Sequence, residues 1–164
     1  MHPHILRFCS FVILLATGCA TTHNEVTTAG FHTAMPVEPS IEKAARMYTQ
    51  TCVLDNRESN NCAHFLSDAF IRAGYTELLD SPLISERCAA DPKARPTRAQ
   101  DMLAWFQHQA TRFSDHRPEK GTGYWAGYQE KPGGHHVFIL DADTGRFYGT
   151  ADCAAWPVQW FYQW

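Results

Sequence analysis

Asn60-Asn61-Cys62-Ala63-His64-Phe65-Leu66-Ser67-Asp68-Ala69-Phe70-Ile71-Arg72-Ala73-Gly74 is the stretch on which the reading of this chain turns. Cys62, Phe65, Leu66, Ala69, Phe70 and Ala73 recur at the spacing of one helix face, a single apolar stripe. Asn60 and Asn61 can cap the start of that helix, and Gly74 can stop it. Upstream, Ser40 follows Pro39 and caps a predicted helix over 41–51, with Ile41, Ala44, Ala45 and Tyr48 on one side. Downstream, residues 80–96 read as a loop containing Pro82, Pro92 and Pro96. Thr97-Arg98-Ala99-Gln100 then fits a capping box that opens a third helix reaching about Gln109.

Beyond Arg117 the pattern changes from helical to extended. Tyr124-Trp125-Ala126-Gly127-Tyr128 is an aromatic strand candidate, and Pro132-Gly133-Gly134 is a turn. His136-Val137-Phe138-Ile139-Leu140 is the strongest strand pattern, and Asp143-Thr144-Gly145 turns the chain into Arg146-Phe147-Tyr148-Gly149. Helices first and an antiparallel sheet second predict an α+β domain. The aromatic tail, with Trp156, Trp160, Phe161 and Trp164, reads as the closure of a small core in preference to a sugar-stacking surface.

The N-terminus carries a different signal. Residues 1–7 hold one cation and no acid, and 8–15 are apolar except for Ser10. Such a run is too short to span a bilayer, which needs about 18 residues or more, and it reads as an export signal. Ala16-Thr17-Gly18-Cys19 resembles the lipobox of bacterial lipoproteins, with Ala16 where the family usually has Leu. That resemblance implies a signal peptide over 1–18 and acylation of Cys19. Ala20 after it looks like an outer-membrane address facing the periplasm. A Thr-rich polar stretch over 19–38 would be the tether, leaving 39–164 as one domain large enough to bury a core.

The formal net charge of −3 gives no argument for nucleic acid as a partner. Of six cysteines, Cys9 would leave with the signal and Cys19 would carry lipid. Cys52, Cys62, Cys88 and Cys153 remain in a compartment that permits disulfides; their pairing is left open. No spacing resembles a zinc pair, and no metal or other cofactor is predicted.

Cys62 is the candidate nucleophile because of its place. Attack requires the thiolate, and the unsatisfied N–H groups and partial positive charge of a helix start favour that form. A thiolate in acyl transfer also needs an imidazole to hold its proton. His135 and His136 open the best strand. His136 shares a face with Phe138 and Leu140, and His135 shares the other with Val137 and Ile139. His64 lies too far around the helix to serve Cys62, and is predicted to bond Asp68, one turn on.

Asn61-Cys62-Ala63-His64-Phe65-Leu66-Ser67 resembles the nucleophile helix of the NlpC/P60 peptidases, which begins Asp-Cys-Ser-Gly-Phe-Val. Pro96-Thr97-Arg98-Ala99-Gln100 is similar to their Pro-Arg-Thr-Ala segment, and Gly134-His135-His136-Val137-Phe138-Ile139 to their Gly-His-Val-Gly-Ile strand. The three occur in the family's order. The resemblance implies a papain-like fold and hydrolysis of an amide in peptidoglycan stem peptides. It matches Cys62 to the nucleophile and His136 to the base, since Val follows directly, with His135 as the fallback. It suggests Asp152 as the group orienting the imidazole, with Tyr148 or Thr150 as other occupants of that place. Tyr48 is a further candidate to line the cleft. The competing expectations are a non-enzymatic envelope lipoprotein with a papain-like shell, and a cysteine amidase or acyltransferase acting on another substrate.

Overall fold

The computed structural model describes residues 38–50, 61–150 and 156–164, all within one compact unit, 36–164. The domain is α+β, with three α-helices, a 3₁₀ turn and a five-stranded antiparallel sheet among the described residues. The helices are α1 (Ile41–Met47), α2 (Cys62–Ala73) and α3 (Ala99–Gln109), with the 3₁₀ turn at Thr76–Leu79. The strands are β1 (Arg112–Ser114), β2 (Tyr124–Lys131), β3 (Gly134–Asp141), β4 (Arg146–Tyr148) and β5 (Val158–Gln163), in the order β1-β5-β2-β3-β4.

Helix α2 begins and ends where its sequence requires. The Asn61 side chain accepts a hydrogen bond from the His64 N–H at 2.8 Å, satisfying one donor that the first turn cannot. Gly74 closes the helix in the left-handed conformation at φ 118°, and its N–H reaches the carbonyls of Phe70 and Ile71. The expected single stripe, however, is not how α2 is buried. His64, Ser67 and Asp68 are buried as well as the apolar positions, because the 80–98 loop lies over the polar side. Arg95 from that loop reaches Asp68 at 2.6 Å and also bonds Asp91.

Two other helix boundaries differ from expectation. Helix α1 ends at Met47 rather than near Thr51, with Tyr48 in an extended conformation. The Arg72 guanidinium takes the Met47 carbonyl, so an exposed acceptor at the helix end is satisfied from outside. Helix α3 begins at Ala99, its cap residue Arg98 makes no side-chain cap bond, and the capping box does not form. Thr97 Oγ1 instead contacts Glu86 Oε1 at 3.3 Å. Asp101 in the first turn binds the backbone N–H groups of Ser85 at 2.8 Å and Glu86 at 2.9 Å. The helix start thus anchors the preceding loop.

The sheet has two differently covered faces. Ala126, Tyr128, Val137, Ile139 and Tyr162 join the main core with residues of the three helices. Trp125, Phe138, Leu140, Ala142 and Phe161 form a second cluster on the opposite face. The aromatic tail is strand β5, and Trp164 packs on Phe70 and Trp105 with its indole N–H on Tyr75 Oη at 2.9 Å. That agrees with the core-closing reading. No helix among the described residues is long and apolar enough to cross a membrane.

Candidate active site

Helix α2 runs across the sheet in a direction that its two ends define. Near its C-terminus, a Cβ on Gly74 would sit 3.1 Å from Pro39, and Tyr75 bonds Trp164. Ser40, next to Pro39, and Trp164 border Tyr124, where β2 begins and β3 ends. A twelve-residue helix is about 18 Å long, and Cys62 at its other end belongs to the same core cluster as Tyr128, Val137 and Ile139. The hairpin that joins β2 to β3 is closed by Pro132-Gly133, with Gly133 at φ +75°.

The hairpin register decides which histidine faces the helix. A two-residue loop pairs Lys131 with Gly134, Glu130 with His135, Gln129 with His136 and Tyr128 with Val137. Paired residues and every second neighbour share a face. His135 therefore lies on the helix-covered face with Tyr128, Val137 and Ile139. His136 lies on the other face, stacked 6.0 Å from Phe138 and edge-on to Trp156 at 6.3 Å. A Cβ placed on Gly149 would sit 3.2 Å from His136 Nε2. The expected base, His136, is thus separated from Cys62 by the thickness of the sheet. The fallback, His135, is on the helix-covered face.

His135 is held by a short chain of polar groups. Tyr128 Oη lies 2.7 Å from His135 Nδ1 and 3.1 Å from Glu130 Oε2. The phenol has one proton, and a carboxylate can only accept, so Tyr128 donates to Glu130. Its oxygen is then left to accept from Nδ1–H, which places the lone pair of the neutral imidazole on Nε2. Burial, followed by the Glu130 carboxylate, raises the Tyr128 phenol above its ordinary value. It therefore keeps its proton at neutral pH. Trp160 stacks on the Tyr128 ring at 5.5 Å and 14° and fixes its plane.

Cys62 is the first residue of α2, 7% exposed, and carries a thiol, as does Cys88. The first-turn N–H groups have no carbonyl to bond within the helix. Tyr48 stands within electrostatic reach of this thiol. Burial pushes its phenol up to about 12; the Gln50 amide pulls it partly back, and the Cys62 thiolate charge adds to the rise. Tyr48 also borders a groove formed with Tyr148 and Gly149.

Asp152, Cys19, Cys52 and Cys153 lie outside the described residues. Thr150 has its hydroxyl buried, Tyr148 packs against the main core, and His135 Nδ1 is engaged by Tyr128. Sequence reading missed Tyr128 and Glu130. The signal was present: a two-residue turn at 132–133 puts Glu130 directly opposite His135. His64 is also placed differently. Its Nε2 stands 4.0 Å from Asp91 Oδ2, while Asp68 is engaged by Arg72 at 2.8 Å and by Arg95. Among the described residues no cluster of His, Cys, Asp or Glu could hold a metal ion. Compared with protein-family models, curated proteins and solved structures, the chain matches none.

Proposed function

We propose that this chain is a papain-like cysteine hydrolase of the NlpC/P60 type, cutting an amide bond in peptidoglycan stem peptides. The reading rests on one observation above others. Cys62 opens a buried helix and shares a core cluster with Tyr128 and Val137, and His135 stands on that same face of the sheet. Its Nδ1 is tied to Tyr128, so Nε2 is the nitrogen that can exchange a proton.

In this mechanism His135 Nε2 takes the Cys62 thiol proton, and the thiolate attacks the amide carbonyl. First-turn N–H groups of α2 steady the oxyanion. As the C–N bond breaks, the imidazolium returns the proton to the leaving amine and a thioester remains. Water, deprotonated by His135, hydrolyses the thioester and restores the thiol. No cofactor takes part. Tyr128 and Glu130 act as positioning residues for the His135 ring.

The N-terminal signal supports export and attachment through an acylated Cys19, with the domain facing the cell wall from the outer membrane. Intact mass of the envelope-extracted protein should then show cleavage before residue 19 and added acyl chains. The enzymatic test is digestion of purified peptidoglycan. Wild-type protein should release stem-peptide fragments, and Cys62→Ala, folded by circular dichroism, should release none. Equal digestion by the variant would remove the reading. The slight exposure of Cys62 favours one competitor, a non-catalytic shell with a core thiol. Iodoacetamide separates the two, since a catalytic Cys62 is alkylated in the native protein at neutral pH and a core thiol is not.

A further inference from the structure

A groove of about 440 Å³ opens where the 3₁₀ turn and the loop after it meet the end of α3, bordered by Glu77, Asp80, Pro82, Leu83, Trp105 and His108. That volume is within the range of built ligand pockets. Its two carboxylates, Glu77 and Asp80, have no cationic partner among the described residues; Glu77 accepts only from the Gln109 amide, at 3.4 Å. Arg87, on the same loop, spends its N–H groups on the carbonyls of Leu78, Ser81 and Ala94. Among the described residues no lysine or arginine lines the groove, and His108 is the other titratable group on its wall. Helix α3 ends there, and the negative end of a helix dipole favours a cation. Leu83, 36% exposed, offers apolar surface at the rim. Trp105 is an independent sign of a ligand. It is 1% exposed, yet its indole N–H has no hydrogen-bond partner, a costly state for a buried donor. The rings packed against it, Phe70, Tyr75, Phe106 and Trp164, leave it no acceptor, since Tyr75 Oη already takes the Trp164 N–H. The groove that Trp105 lines is the side from which an acceptor can come.

We infer that this groove is a docking site for a lysine side chain of a polypeptide partner. The ammonium is taken by Glu77 and Asp80, its methylenes lie on Pro82 and Leu83, and a backbone carbonyl beside it accepts the Trp105 N–H. Lysine suits the place because its compact ammonium has three rotatable donors, which can serve two separate carboxylates. Its stem can cover apolar surface while the charge stays at the wet rim. The inference does not depend on the hydrolase reading. Trp105 packs on Tyr75, just beyond the C-terminal end of α2, whereas Cys62 opens that helix about 18 Å away along its axis.

Nuclear magnetic resonance titration of the full-length protein tests it with two capped tripeptides, acetyl-Ala-Lys-Ala-amide and the same peptide with norleucine in place of lysine. The lysine peptide should bind with a dissociation constant roughly tenfold or more below that of its norleucine counterpart, the worth of a charge-assisted hydrogen bond. Its binding should shift the Trp105 indole N–H signal, assigned by Overhauser contacts to Tyr75 and Phe106, in the direction of a newly made hydrogen bond. Glu77→Gln with Asp80→Asn, two exposed positions, should keep the melting temperature and abolish the preference for lysine. Absence of binding, equal binding of the two peptides, or a preference that survives in the double variant overturns the inference. So does a Trp105 signal that stays in place while the lysine peptide binds. Pentylamine, which carries the ammonium and methylenes without a carbonyl, should bind more weakly than the lysine peptide. Equal affinity would make the groove a site for small free amines and remove the polypeptide partner.

Discussion

Two adjacent histidines differ here by a sheet's thickness, and the difference yields the sharpest single-residue prediction. His135→Ala should lower turnover of peptidoglycan by about 10²–10⁴-fold, the usual worth of a general acid–base group, with little change in melting temperature because the side chain is a third exposed. His136→Ala should do the reverse, losing stability through the Phe138 and Trp156 contacts while specific activity of the folded fraction persists. Activity lost in His136→Ala and retained in His135→Ala would reverse the assignment. Tyr128→Phe removes the acceptor on His135 Nδ1 and frees the ring to turn. It should reduce kcat by about ten- to hundredfold, the equivalent of one hydrogen bond of 1–3 kcal/mol, and should alter the pH–rate profile, which a purely structural role would leave in place.

Among the elements, the bounds of α2 were legible in the sequence though its two-sided burial was not, and the contrast with β3 explains why. Helix α2 carries its own punctuation, Asn61 before and Gly74 after, and its period allows one interpretation. Strand β3 alternates cleanly, but Val137, Phe138, Ile139 and Leu140 are all fully buried. An alternating strand with two apolar faces does not say which face the helices cover, and that is decided by tertiary packing. The choice between His135 and His136 was hidden for the same reason. Strand β1 was invisible because three residues, two of them exposed, carry no period. Strand β5 was read as core without being recognised as a strand, since aromatic runs serve either purpose.

The face opposite the helices makes its own prediction. A Cβ on Gly127 would lie 2.2 Å from Phe138 Cζ, so the Phe138 ring lies across the glycine and needs it bare. Gly127→Ala should destabilise the domain by about 1–3 kcal/mol through overpacking. Adding Phe138→Leu should recover part of that loss, and strictly additive losses in urea titrations would contradict the proposed clash. The 80–98 loop offers a parallel case in ionic form. Burial alone would raise the Asp91 carboxyl, but the Arg95 guanidinium and the backbone N–H groups of Lys93 and Arg95 outweigh it and hold it below the usual range. Asp91 therefore contributes stability above the ordinary carboxylate pKa, and that contribution disappears as pH falls through its lowered value. Arg95→Ala strands the buried Asp91 carboxylate and leaves Asp68 to Arg72 alone, and should cost about 3–5 kcal/mol. Arg95→Met together with Asp91→Leu should be far milder, because no buried charge is left alone at that pair.

At the scale of the whole molecule, the buried tyrosines set the alkaline limit of stability. Tyr48 is pushed up to about 12, mainly by burial. Tyr75, Tyr128 and Tyr162 are raised with burial as the leading cause in each. In the unfolded chain these phenols release their protons near the ordinary value of 10. Above that pH the folded state binds more protons than the unfolded state, so the free energy of unfolding falls as pH rises. The stabilisation is whole below pH 10 and is lost as pH climbs through the raised values of the folded protein. Because Phe70, Tyr75, Trp105 and Trp164 interlock at one end of the core and Tyr128 and Trp160 stack at the other, ionising one buried ring requires the packing around it to open. Tyrosinate absorbance from these rings should therefore rise together with the loss of near-ultraviolet circular dichroism in one transition above pH 10. Tyr48→Phe and Tyr128→Phe should each move that transition to higher pH, since each removes a proton that only the unfolded chain gives up readily. Smooth tyrosine titration with the dichroism unchanged would mean that the rings are reached by solvent without opening the core.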